Sequence, residues 1–161
     1  VGDVAGPPLL AHKATHEGRT AAEVIAGRKV AFEPGAIPAV EYTDPEIAWC
    51  GLTETEAAEQ GREIKSVSFP WGASGRAATI GRKQGVTKLI VDPETERILG
   101  AGIVGAHAGE LISEAALAVE MDATVRDLSL TIHPHPTLSE TVMGAAELYY
   151  GTATDFRKRK S

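Results

Sequence analysis

Apolar positions along the first quarter of the chain recur at helical spacing. Leu10, Ala14, Ala21, Ala22 and Ile25 mark one side of an alanine-rich run that stops at Gly27. The spacing predicts a helix over residues 9–26, with Gly18 as a point where it can bend, after a short strand VGDV and the turn AGPP. Beyond Gly27 neither a helical nor a strand period persists, and Pro34, Gly35 and Pro38 make residues 33–38 a linker. A second domain is expected to begin there. From residue 39 the pattern changes to strands: 39–43 and 47–51 flank the turn Asp44-Pro45-Glu46 as a paired unit. Thr53 and Glu56 form a capping box that opens a short helix, closed by Gly61. Residues 64–69, 86–91 and 98–104 read as three more strands, the last two joined by a turn at 92–95. In residues 110–121, Leu111, Ile112, Ala115, Ala116 and Val119 make one stripe, and a last helix is expected over 138–150. Strands first and helices later indicate an α+β fold: a mostly antiparallel sheet of about five strands with helices packed on one side.

Composition narrows the function classes. With 161 residues, 43% hydrophobic and 24% charged, the chain suits one globular core plus an appendage. A net charge of −6 argues against a nucleic-acid binder, which needs a basic face. The run Arg157-Lys158-Arg159-Lys160 is confined to the C-terminus and reads as a solvated tail. No apolar stretch approaches the ~20 residues that span a bilayer, and no signal-peptide pattern opens the chain, so no membrane role and a cytoplasmic location are expected. Cys50 is the single cysteine, which excludes an internal disulfide and a metal–thiolate cluster. The chain starts at Val1 without an initiator methionine, and the expectation is a piece of something longer.

Two motifs invite a chemical reading. Gly100-Ala101-Gly102-Ile103-Val104-Gly105 matches GxGxxG, but a dinucleotide fingerprint needs those glycines in the turn that opens a helix. Here they fall inside a strand, where small residues serve close packing. The second is HPHPTLSE, residues 133–140. Pro134 and Pro136 push His133 and His135 toward extended conformations and stiffen the segment. Thr137 and Glu140 have the spacing of a capping box, the simpler reading of that glutamate. In the sharper reading Glu140 turns back to a ring nitrogen of His135, fixing its tautomer as an orienting carboxylate does. A carboxylate has two oxygens, so both roles can coexist. A metal site at His133, His135 and Glu140 lacks support, because no zinc-type cluster accompanies them.

HPHPTLSE resembles the HAHPTLSE signature of dihydrolipoamide dehydrogenases, flavin-dependent members of the pyridine nucleotide-disulfide oxidoreductases. The resemblance covers essentially the whole chain. VGDV through Leu9-Leu10-Ala11-His12-Lys13-Ala14 is similar to that family's second flavin-contacting segment, and residues 42–51, YTDPEIAWCG, to the opening of its dimerisation domain. Pro134 departs from the family, which usually has alanine there.

The resemblance implies a division into residues 1–36, a remnant of an FAD-binding domain plus linker; 37–151, the dimerisation domain; and 152–161, a tail. It implies that His135 takes a proton from a thiol of dihydrolipoamide while Glu140 holds its imidazole. The thiolate then attacks an enzyme disulfide, and electrons pass through FAD to NAD. Asp3 would bond the flavin's ribityl chain, with Leu9, Leu10, Ala11 and His12 near the isoalloxazine. The disulfide and both nucleotide-binding fingerprints would lie upstream, so this chain alone is expected to be inactive. Cys50, where relatives usually carry valine, is expected to be a small core hydrophobe. The implied partners are a second copy of the chain, whose disulfide His135 would serve, and the lipoyl-bearing acyltransferase of a 2-oxoacid dehydrogenase complex. Val142, Ala145, Ala146 and Tyr149 fit either a symmetric contact or ordinary core, which periodicity does not separate. The alternative is a non-catalytic dimerisation or binding module that retains the family fold.

Overall fold

Alternating side chains after residue 39 build one antiparallel sheet. In the computed structural model, which describes residues 1–156, its strands are β1 (Ala39–Glu41), β2 (Glu46–Gly51), β3 (Lys65–Pro70), β4 (Val86–Val91) and β5 (Ile98–Gly105), in the order β1-β2-β5-β4-β3. The basic run 157–160 lies outside the described residues. Pairing sets Cys50 opposite Ala101 and Ala101 opposite Leu89, and Ala48 opposite Ile103 and Ile103 opposite Thr87. These side chains are all buried and line one face. Burying each large one, such as Leu89 or Ile103, stabilises the fold by roughly 1.5–3 kcal/mol.

Two long helices cover that face. Helix α4 (Ala108–Glu120) packs on β5, β2 and β1 through Ala108, Ile112 and Ala115, and α6 (Glu140–Tyr150) packs on β3 and β4 through Val142, Ala145 and Ala146. The last three are fully buried within the chain, so they are core and not a free interface. Tyr149 is partly buried and lies under the Lys65 ammonium, 3.6 Å from the ring centre. The other helices are α1 (Ala11–Ile25), the longest, and the short α2 (Glu54–Glu59), α3 (Gly75–Thr79) and α5 (Val125–Leu130). The capping box expected at Thr53 and Glu56 is formed at the start of α2. Among the described residues, no helix is long and apolar enough to cross a membrane.

Several expectations change. The strand expected at VGDV is a 3-10 turn over Gly2–Ala5, because Gly2 and Gly6 have positive φ and the Gly6 N–H bonds back to the Asp3 carbonyl. Helix α1 runs on through Gly18. Two helices were expected after the sheet, but α5 stands between α4 and α6, opened by a capping box of Thr124 with Asp127. The final helix starts at Glu140 rather than 138. The Thr137 hydroxyl donates to the Pro134 carbonyl instead of accepting from the helix, so only half of the expected box forms there. The GxGxxG glycines lie within β5, where a Cβ at Gly100 would strike Leu52 and one at Gly105 would strike Trp71.

Candidate functional site

The start of α6 is fixed from beneath by a chain of buried hydroxyls. The Trp71 indole N–H donates to Thr87 Oγ1 (3.0 Å), Thr87 donates to Thr141 Oγ1 (2.7 Å), and Thr141 donates to the Leu138 carbonyl (2.7 Å). All three side chains are fully buried, so each bond replaces water that the core excludes. The first turn of α6 is thereby tied to the middle of the sheet. Glu140 is the residue next to Thr141 on that anchored turn.

Glu140 uses both of its oxygens. Oε2 accepts the Thr137 N–H at 2.7 Å, and Oε1 lies 2.9 Å from His135 Nδ1. A carboxylate accepts, so Nδ1 carries the hydrogen and Nε2 keeps its lone pair. The His135 side chain is 77% exposed, against 21% for Glu140, so the free nitrogen faces solvent while the carboxylate is held. The ring's Cε1 would lie 3.9 Å from a Cβ at Gly75, at the first residue of α3. Chemically, such a pair can serve as a base, with the ring's tautomer and orientation set by the hydrogen-bonded carboxylate.

A second histidine–carboxylate pair lies two residues away. His133 Nδ1 donates to the Thr131 carbonyl at 2.9 Å, and Nε2 lies 2.6 Å from Glu114 Oε1 on α4. Its side chain is only 4% exposed. Sequence reasoning missed Glu114, which lies 19 residues from His133 on a helix whose apolar stripe was its only sequence signal. The signal that could have found it was a polar position on α4 close to the packed face.

The N-terminal candidates form a separate group. Lys13 is buried and reaches the carbonyls of Gly2 (3.3 Å) and Gly6 (2.6 Å), while Glu17 accepts the Gly2 N–H at 2.6 Å and pairs with Lys13 at 3.2 Å. The Gly2 N–H, and with it Lys13, holds the Glu17 carboxyl below the usual range. The turn carrying Asp3, whose carboxylate is exposed, is thus clamped beside α1. Helix α1 begins at Ala11 behind Leu10 with no side-chain cap, and Leu9 is 63% exposed just before it. His12 turns its ring to the Pro38 carbonyl at 2.6 Å, joining α1 to the linker. A cleft of about 620 Å³ lies between α1 and α4, lined by His12, Phe32, Pro38, Tyr42, Ile112 and Leu117 among others. His135 and Glu140 are not among its lining residues.

Cys50 sits in the core beside Ala101, and burial pushes its thiol up to about 11. A neutral, enclosed thiol is a packing group and a poor nucleophile. Among the described residues, no three His, Cys, Asp or Glu side chains are grouped to hold a metal ion.

The chain has relatives among known proteins. Residues 37–146 match the family described as pyridine nucleotide-disulphide oxidoreductase, dimerisation domain, which supports homodimer formation. A dihydrolipoyl dehydrogenase of Vibrio cholerae is 51% identical over 161 residues, covering 100% of this chain and 34% of that protein. One of Thermus scotoductus is 54% identical over 159 residues, covering 99% of this chain and 34% of its own length. The chain spans about a third of the length of the curated relatives it matches. LpdA from Mycobacterium tuberculosis aligns with a TM-score of 0.85 at 28% identity, covering 92% of this chain and 32% of that one. The HOCl-induced flavoprotein disulfide reductase RclA from Escherichia coli aligns at 0.84 and 26% identity, over 92% of this chain and 34% of that one. The expected α+β architecture is the one these structures share.

Proposed function

The chain belongs to the pyridine nucleotide-disulphide oxidoreductase family, and from that premise we propose that it serves in a dihydrolipoamide dehydrogenase, which oxidises dihydrolipoamide with NAD as acceptor. The observation that carries this reading is the bond from His135 Nδ1 to Glu140, which leaves Nε2 free and exposed. A thiolate attacks a disulfide and a thiol does not, so a dithiol substrate needs a base at neutral pH. His135 Nε2 takes the thiol proton, and Glu140 holds the ring and stabilises the imidazolium that forms. The disulfide attacked must come from outside residues 1–161, which hold one cysteine, buried.

FAD, when bound, supplies the two-electron relay between the dithiol and NAD. The N-terminal residues fit such a group. The amides of Ala11 and His12 open a helix that no side chain caps, giving positive potential for an electron-rich ring. Leu9 and Leu10 offer apolar surface beside them, and the clamped Asp3 offers an acceptor for a hydroxylated chain. On this reading residues 1–36 complete an FAD-binding domain, 37–151 form the dimerisation domain and 152–161 are a tail. His135 then serves the disulfide of the partner subunit. The lipoyl-bearing acyltransferase of a 2-oxoacid dehydrogenase complex is the physiological partner, in the cytoplasm.

The test is NAD reduction with dihydrolipoamide as donor. The complete, flavin-loaded protein should turn over, and residues 1–161 alone should not. A complete protein that dimerises and binds flavin yet leaves dihydrolipoamide untouched would transfer the assignment to a non-catalytic dimerisation module.

A further inference from the structure

The segment from Thr131 to Glu140 presents one exposed imidazole from a strip of backbone that belongs to no helix or strand until its last residue. Such a strip holds a ring in one place only if it is tied at both ends. Its C-terminal end is tied by Glu140 to the Thr137 N–H, by the Thr137 hydroxyl to the Pro134 carbonyl (2.8 Å), and by the buried Leu138, whose carbonyl accepts from Thr141. Its N-terminal end is tied through His133. Both ring nitrogens of that residue are used, Nδ1 on the Thr131 carbonyl and Nε2 on Glu114. The Thr131 contact is local, within two residues, and fixes only the curl of the chain around Ile132. The Glu114 contact reaches a different element, since α4 is packed on β5 and β2.

We propose that Glu114 is a positioning residue for His135: by gripping His133 from a rigid helix it fixes the backbone from which His135 offers Nε2. This rests on the reading of His135 as the base. The geometry supports it in three ways. The contact is short and partly buried, with the His133 side chain 4% and the Glu114 side chain 29% exposed, so salt screens it less than a surface pair. Only Pro134 separates His133 from His135, and a proline with its φ fixed passes displacement on instead of absorbing it. Glu114 bonds His133, whereas His135 bonds Glu140, so the action of Glu114 on His135 passes through His133.

Substitutions in the complete enzyme test the proposal, read by kcat and KM for dihydrolipoamide and by NADH oxidation with an artificial acceptor, which bypasses the dithiol. Glu114→Ala is expected to lower kcat about ten- to a hundredfold, the scale of a ring misplaced by ~1 Å, with little change in KM and with acceptor turnover intact. Glu114→Gln, whose amide can still bond His133 Nε2, is expected to stay within about threefold of wild type. In a His135→Ala background Glu114→Ala should cause no further loss, because its effect runs through that ring. Normal kcat in Glu114→Ala, or the same loss with and without His135, would overturn the proposal. So would a loss in Glu114→Gln as deep as in Glu114→Ala with flavin retained; this variant also serves if the alanine form does not fold. Normal dithiol turnover in His135→Ala alone would instead remove the reading of His135 as the base, and this proposal with it.

Discussion

His133 and His135 share a motif, a following proline and a carboxylate partner, and they differ in what surrounds them. His133 spends both nitrogens on fixed acceptors and hides its side chain; His135 spends one, on Glu140, and leaves the other in solvent. A ring with no free lone pair cannot take a substrate proton, whatever its neighbours. Pairing with a carboxylate does not by itself make a histidine a base. The count of uncommitted nitrogens and their exposure decide the role, so one histidine acts as an anchor and the other as the proposed proton acceptor.

The widest separation between the two should appear in chemistry. His135→Ala in the complete protein is expected to cut dihydrolipoamide oxidation by roughly 10²–10⁴-fold, the usual contribution of a positioned base, with flavin content unchanged. Steady-state rates and the flavin spectrum check this, and near-normal turnover would erase the distinction. A smaller effect tests the anchoring beneath Glu140. Thr141→Val keeps the shape but leaves Thr87 and the Leu138 carbonyl short of a partner, so it should destabilise the fold by about 1–3 kcal/mol, measured by denaturant unfolding.

The smallest effect extends the contrast to another buried group, Cys50. Burial pushes its thiol from 9 up to about 11. The unfolded chain then releases this proton first, and stability falls wherever the native state holds more protons. The contribution of Cys50 is complete below pH 9 and is lost as pH rises from about 9 to about 11. Unfolding midpoints across that range should decline more steeply for wild type than for Cys50→Ala, and parallel curves would place the thiol in contact with solvent.

How legible this was in the sequence depends on the range of each interaction. Strand alternation and the Thr53–Glu56 box are local, and the sheet and α2 follow from them directly. Helix α5 escaped because its box uses Asp127 in place of glutamate and the helix has only six residues. VGDV looked like a strand by composition, yet the positive φ of Gly2 and Gly6 and the buried Lys13 curl it onto α1, a tertiary effect. At the site, the approach of Glu140 to His135 spans five residues and could be considered from spacing. The grip of Glu114 on His133 and the hydroxyl chain from Trp71 to Leu138 join distant segments, and no single-sequence period encodes them. Likewise Val142, Ala145 and Ala146 became core only once the sheet beneath α6 was in place.

The most direct test of the division between the two histidines is their thermal stability side by side in the complete protein. His133→Ala removes two hydrogen bonds from a buried ring and should lower the unfolding midpoint by several degrees, at about 2–4 °C per kcal/mol for a domain of this size. His135→Ala, mostly exposed, should move it by about a degree or less. The reverse order, with His135→Ala the more damaging to stability, would contradict the assignment of His133 as anchor and His135 as the free base.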